Sequence, residues 1–262
     1  MPSNQPLDIL PLWASYLVIV LVGLLAVEIG YWLGRWWQQR SSQEKADTTG
    51  SMVGSTLALL AFLLVFLTGI AVNRFDTRRQ LVIREANAIG TTFLRAGYLE
   101  EPDRTDIRQF LREYAAARLA PVNDSSQLAA ARARSEEIQT ELWSRAEVLA
   151  RANPNSEMVG LFIETLNELI DLHTERVVAV FNRIPFNFWL VIFFMAFLAL
   201  IMVGFQNGQA GNRNLIAILA FILVFAAVIQ LNLDLDRPQE GFLVVNQQAM
   251  IDVQQMMNAW EP

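Results

Sequence analysis

The 262-residue chain has no cysteine, one histidine and few of the residues on which metal or nucleophile chemistry is usually built. The absence of cysteine excludes disulfides, thiolate metal sites, cysteine nucleophiles and lipidated cysteines. The single histidine, His173, excludes a paired-histidine zinc motif, and with no Glu three residues before it a di-iron carboxylate centre lacks its nitrogen ligands. His173 therefore reads as an ordinary helix residue whose ring can respond to pH. Lysine is nearly absent too: of twenty basic residues only Lys45 is not arginine, a bias that also suits partly buried ion pairs. The net charge of −6 supplies no basic surface for nucleic acid. No glycine-rich phosphate loop or nucleophile elbow is present, and nothing places two carboxylates around a substrate. The composition argues against an enzyme and calls for no cofactor or metal.

What the chain has in excess is apolar sequence, 53% of residues, beside 18% charged ones. Part belongs in a membrane and part in water. Four windows, 12–34, 52–72, 186–205 and 213–231, reach the roughly 18 to 20 apolar residues needed to cross a bilayer. The first follows "MPSNQPLDILP", with no basic n-region and no small-residue cleavage site, so it resembles an anchor more than a signal peptide. The reading divides the chain into a transmembrane pair over 1–72, a helical module over 73–185, a second pair over 186–231 and a C-terminal segment over 232–262.

The module shows helical periodicity and no strand alternation, so the fold class is an all-α integral membrane protein. Residues 73–98 contain no proline, which lets the second span continue into water as one helix over 52–98, about 70 Å long. Further helices are expected over 103–119, 126–152 and 156–183, bounded by Pro102, Pro121, "NDSS", "NPNS" and Pro185, the last feeding straight into the third span. After "DLDRPQEG", Asn246 is placed to cap a short helix with Met250, Val253, Met257 and Trp260 on one face. Basic residues near the span ends divide as Arg35, Arg40, Lys45 and Arg213 on one side and Arg74, Arg78, Arg79, Arg84, Arg176, Arg183 and Arg237 on the other. The excess puts the module and both termini in the cytoplasm.

The stretch "AFLLVFLTGIAVNRFDTRR" carries the functional question. Phe62 and Phe66 are one helical turn apart, and Gly69, Asn73 and Asp76 extend the same side toward the membrane boundary. Several copies of this helix around an axis would turn each phenylalanine into a ring and form a hydrophobic neck able to gate by dewetting. The alternative is that both rings lie in the core of a four-helix bundle. Gly54 and Gly69 fit either case, since small residues let membrane helices approach closely.

The run "FLLVF" followed by "NRFDTRR" resembles the bestrophin signature, a phenylalanine-containing pore helix leading into a motif of the type "YDRWWEGR". Over nearly the whole chain, through "RFDTRRQLVIREANAIGTTFLRAGYL" and "DLDRPQEGFLVV", it resembles more closely a bacterial bestrophin-like family of unknown function. The resemblance implies four spans, cytoplasmic termini and module, a homopentamer around one pore in the bacterial inner membrane, and inorganic ions as the permeant species. Neck positions lie about eight, twelve and sixteen residues before the motif's arginine in bestrophins, which from Arg74 are Phe66, Phe62 and Ala58. Where this chain departs from the pattern, Phe75 is the nearest aromatic in place of the motif's tryptophans, and Ala58 stands where a bulky neck residue is usual. Asp234, Asp236 and Glu240 are spread through a turn and do not form an acidic cluster like the calcium clasp of animal bestrophins.

Two charged features complete the sequence reading. Glu157, Glu164, Glu168, Asp171 and Glu175 fall on one face of a module helix, with Arg84, Asn87, Thr91 and Arg95 on the long helix and Arg104, Arg108 and Arg112 on the next. These are either salt-bridged and solvated faces or, for Glu164, Glu168, Asp171 and Glu175, the lining of a vestibule that concentrates cations. Glu28, near the end of the first span, either pairs with Arg35 or reaches the interface, or else lines a pore entrance. The sequence thus points to a bestrophin-like homo-oligomeric ion channel, with a non-conducting scaffold or sensor, whose module binds a partner, as the alternative.

Overall fold

The computed structural model describes residues 5–40, 46–119, 125–211, 213–237 and 241–260. Lys45, Pro121, Asn123, Asp124 and Glu240 lie outside them. After a single 3-10 turn (Pro6–Ile9), the helices run α1 (Leu12–Arg40), α2 (Ala46–Ala96), α3 (Asp103–Leu119), α4 (Ser125–Ala152), α5 (Glu157–Phe181), α6 (Phe186–Ala210), α7 (Leu215–Asp236) and α8 (Gln248–Ala259). No strand occurs among the described residues. Four helical stretches are long and apolar enough to cross a membrane, and the expected continuity of α2 out of its apolar segment is observed.

The termini follow local chemistry. Ser156 accepts from the Val159 amide to start α5, and Asn214 accepts from Ala217 to start α7. Gly211, at φ +65, ends α6 in the left-handed conformation open to glycine. The passage from α5 to α6 is not continuous: residues 182–185 are non-helical. Pro185 disfavours helix at Ile184, whose amide donates to Asp236 Oδ1 at 2.8 Å. Asn246 does not occupy the cap of α8. Gln247 does, while Asn246 Oδ1 accepts from the Gln248 amide at 2.7 Å. Met250, Val253 and Met257 are buried as expected, but Trp260 lies past the helix and is half-exposed.

The chain forms two compact units. The first comprises the described residues within Ser3–Phe75 and Arg183–Val244. Its tightest contact is between α1 and α6, where Gly30 and Gly34 face Gly204 and Gly208. A Cβ on Gly30 would lie 2.0 Å from the Ile201 carbonyl oxygen, and one on Gly204 2.0 Å from that of Val27. The backbones touch because the side chains are missing, as in other small-xxx-small membrane pairs. The apolar segment of α2 contributes Leu60, Leu64, Leu67 and Ala71 to a cluster with Trp189, Ile192 and Ala196 of α6 and Ile229 and Leu233 of α7. Within it, Asn232 Nδ2 donates to Thr68 Oγ1 at 3.0 Å.

One end of this unit is polar. Arg183 pairs with Asp8 and, at 3.3 Å, with Asp236, while Arg237 donates to the carbonyls of Leu7 and Leu10. Asp234 and Asp236 are therefore not spread through a turn. They occupy the last turn of α7, are nearly fully buried, and are engaged by Arg183 and by the amides of Ile184 and Phe242. Gly241 closes on them at φ +126, where a Cβ would lie 1.7 Å from Asp234 Oδ1.

The second unit comprises the described residues within Asp76–Asn182 and Val245–Pro262. Its core joins Ile89 and Phe93 of α2, Ile107 and Leu111 of α3, Ile138 and Leu142 of α4, Phe162, Leu166 and Leu169 of α5, and Met250 and Met257 of α8. Each helix supplies apolar residues at three- and four-residue intervals, so burial rather than propensity fixes which face turns inward.

Candidate functional site

Leu60, Leu64 and Leu67 set the inward face of α2, and a residue two positions from any of them points about 200° away. Phe62 and Phe66 lie on that far side. Neither is in the bundle core: Phe62 is 67% and Phe66 60% exposed. Their being core residues, one of the two sequence expectations, is overturned. The face extends both ways through exposed Ser51, Gly54, Ser55 and Ala58 before the rings, and exposed Gly69 and Asn73 after them. A Cβ on Gly54 or Gly69 would meet nothing within 4 Å, so neither glycine serves a contact inside the chain. Asp76 is half-buried and accepts from Gln80 Nε2 at 2.6 Å.

This face differs from the outward face of α1, where Leu17, Leu21, Leu25 and Ile29 run between Trp13 at one end and Trp32, Trp36 and Trp37 at the other. From Trp13 to Trp36 is about 35 Å along the helix, matching a bilayer with aromatic residues at both interfaces. A lipid-facing helix side is built that way. The stripe of α2 that holds Phe62 and Phe66 is instead small and polar, then two phenylalanines, then small and polar again, and it is flanked by exposed Met52, Leu59, Val65 and Val72.

In the second unit, Glu164, Glu168, Asp171 and Glu175 are all exposed on one side of α5. Glu164 pairs with Arg95 at 3.3 Å and Glu175 with Arg84 at 3.4 Å, which is the salt-bridging expectation. Asp171 accepts from Asn167 at 3.2 Å. In the Arg104, Arg108 and Arg112 row Arg104 meets the salt-bridging expectation, pairing with Glu101 at 3.4 Å, while the other two depart from it. Arg108 and Arg112 lie over the Phe93 ring, 4.8 and 5.1 Å from its centroid, and donate to the carbonyls of Phe93 and Met257, so that Arg112 satisfies the end of α8. Glu28 pairs with Arg213 rather than Arg35, and also accepts from Trp32 Nε1 at 2.9 Å. Arg35 turns to the Tyr31 hydroxyl.

The sequence reading missed a buried polar cluster around Glu85. This fully buried carboxylate accepts from Tyr114 Oη at 2.7 Å, Arg118 Nε at 2.8 Å and Arg176 Nη1 at 2.5 Å. Tyr114 has one proton and gives it to Glu85, so its oxygen accepts from His173 Nδ1 at 3.1 Å. That fixes the Nδ1–H tautomer of His173 and leaves its buried Nε2 as an acceptor without a partner. Burial alone would raise the Glu85 carboxyl, but Arg118 and Arg176 outweigh it and hold it at about 2. Burial, with Arg118 nearby, pushes His173 down to about 4, so it is neutral in neutral solution. The signal was present: Glu85 stands among Leu81, Val82, Ala88 and Ile89, on the apolar side of its own helix. Among the described residues no group of His, Asp or Glu side chains is arranged to hold a metal ion.

Four membrane-length helices with a separate helical unit define an all-α integral membrane protein. The bestrophin-like domain model matches residues 20–250, and the chain belongs to the bestrophin-like family. Among solved structures it is similar to a variant of a bacterial bestrophin homologue from Klebsiella pneumoniae at 18% identity, covering 95% of this chain and 99% of that one, with a TM-score of 0.65. A second variant of that homologue gives 17% identity, 94% and 99% coverage and a TM-score of 0.67. A structure described as a membrane protein gives 16%, 95%, 97% and 0.66. At these identities the likeness is one of fold. No curated protein matches the chain.

Proposed function

We propose that the chain is one subunit of a homo-oligomeric ion channel, conducting passively through a pore lined by α2, with Phe62 and Phe66 as its hydrophobic neck. Ala58 stands one turn before the rings, and Gly69, Asn73 and Asp76 follow them as the polar exit. The observation that supports this reading most is one exposed stripe of α2, two phenylalanines in line with small and polar residues, flanked by exposed Leu59, Val65 and Val72 and opposite a fully packed leucine stripe. A side of that composition suits an axial cavity better than lipid, because rings of phenylalanine exclude water while the flanking residues admit it. Fivefold symmetry, cytoplasmic termini and residence in the bacterial inner membrane follow the bestrophin pattern and the distribution of arginines. Glu164, Glu168, Asp171 and Glu175 are the acidic lining of a vestibule, with two of the four charges offset by Arg95 and Arg84.

The test is ion flux from liposomes holding the purified protein, comparing wild type with Phe62→Ala/Phe66→Ala at equal oligomer size. Widening a dewetted neck raises flux, and reversal potentials then report the ion. If both proteins stay silent across several salts and pH values while remaining folded oligomers, the channel reading fails and a scaffold or sensor takes its place.

A further inference from the structure

The first unit contains a cavity of about 300 Å³ between α1, α6 and α7. Val18, Val22, Phe193, Phe197, Phe225 and Ile229 are among the residues that form its walls. Among the described residues that line it the one polar side chain is Ser15, whose hydroxyl donates to the Leu12 carbonyl at 2.9 Å. Nothing there can orient a polar ligand. The lining runs along α1 from Ser15 to Gly23, a length of about 12 Å, against the ~15 Å of hydrocarbon in one leaflet of a bilayer. Pro6, Leu7 and Leu10 border its mouth at one end, where Arg237 holds the carbonyls of Leu7 and Leu10 and Arg183 holds Asp8. The slot is thus apolar, nearly one leaflet deep, and polar at its mouth.

Its rim decides what fills it. Val18 and Val22, each 44% exposed, belong to the same outward apolar surface of α1 as Leu17, Leu21 and Leu25, and Leu10, just before α1, is 40% exposed. The solvent of that surface is bilayer hydrocarbon. A void of this size is unusual in a close-packed interior, and an apolar one does not take up water. At the mouth Asp8, Asp234 and Asp236 stand with Arg183 and Arg237, so this end has no excess of cations to select an anionic headgroup.

We propose that this slot holds one acyl chain of a bilayer phospholipid, selected by its chain and not by the charge of its headgroup. Ala196, Ile229 and Leu233 line the slot and also belong to the cluster that receives Leu60, Leu64 and Leu67 of α2. The bound chain therefore presses on the packing behind α2, opposite Phe62 and Phe66. The site stands independently of the channel reading; only an effect on flux rests on it.

The experiment is native mass spectrometry of the intact oligomer, delipidated and then incubated with palmitoyl-oleoyl phosphatidylethanolamine or phosphatidylglycerol. Wild type is expected to retain one phospholipid per protomer more than Val18→Phe/Val22→Phe, with either headgroup. Both substitutions sit on the exposed rim and fill the slot without entering the packed core. Ser15→Leu fills it one turn earlier on the same helix, with a single substitution, and gives the same answer should the double variant misassemble. Equal lipid counts in wild type and filled variants, retention of phosphatidylglycerol only, or an adventitious additive only in the form of detergent would each overturn the proposal. Liposome flux of the same variants separately reads the effect on α2: unchanged flux with lost lipid removes the coupling and keeps the site.

Discussion

Glu85→Gln removes a single charge from the centre of the buried cluster in the second unit. The wild-type carboxylate has no exposed surface and accepts from Tyr114, Arg118 and Arg176, whose guanidinium side chains are only 13% and 14% exposed. Glutamine is nearly the same size but has one acceptor oxygen, and its amide turns a donor toward an arginine. Two nearly buried cations are left with no counter-ion, a loss of about 3–5 kcal/mol, which for a unit of this size lowers Tm by about 10–15 °C. Thermal unfolding in detergent, followed by tryptophan fluorescence, measures it at pH 7. The internal control is Glu164→Gln, which breaks a 3.3 Å pair whose carboxylate side chain is 73% exposed. Exposed pairs contribute 0–1 kcal/mol, so that variant should move Tm by no more than about 3 °C. If the two variants melt within a few degrees of each other, the Glu85 cluster does not hold the second unit together and the argument from burial is wrong.

The same cluster predicts a pH dependence. His173 has a folded pKa of about 4 against an ordinary value of 6.5, so between those values the unfolded chain binds the extra proton and stability falls as pH is lowered. His173→Gln should flatten Tm against pH in that window and leave the further decline below pH 4.5, where Glu85 begins to contribute, in place. Gly204→Ala puts a methyl 2.0 Å from the Val27 carbonyl oxygen and should lower Tm and folded yield sharply, whereas Gly69→Ala, with nothing within 4 Å, should leave both unchanged. In the reconstituted protein, joint neutralisation of Glu164, Glu168 and Asp171 should lower cation conductance. Unchanged conductance and reversal potential would remove those residues from the ion path.

Apolar length and helical period were enough to read the four membrane helices and the all-α second unit, because each depends on residues near in sequence. The Phe62 and Phe66 side of α2 was legible as a side but not as an exposed one. Leu60, Leu64, Leu67 and Ala71 follow the same three- and four-residue spacing, and a helix apolar all round does not announce which stripe its own chain covers. Partners distant in sequence were the other gap. Glu28 meets Arg213, 185 positions away, although Arg35 lies two turns along its own helix. Arg108 and Arg112 looked like a charged row and instead bind an aromatic ring and helix-end carbonyls, which no local spacing foretells. The reciprocal glycines of "GYWLG" and "GFQNG" were visible in the chain, but their pairing emerges only when α1 and α6 are laid together.

The solitary histidine has a use beyond its part in the cluster. Labelling histidine with nitrogen-15 places a single imidazole in each protomer, and its two nitrogens are chemically unlike: Nδ1 carries the proton given to Tyr114 and Nε2 is bare. Their magnetic resonance signals fall far apart and need no assignment. Any event in the surrounding helices that loosens the tie between Glu85, Tyr114 and His173 lets the proton sample both nitrogens and draws the two signals together, so the protein carries its own reporter of strain in that unit.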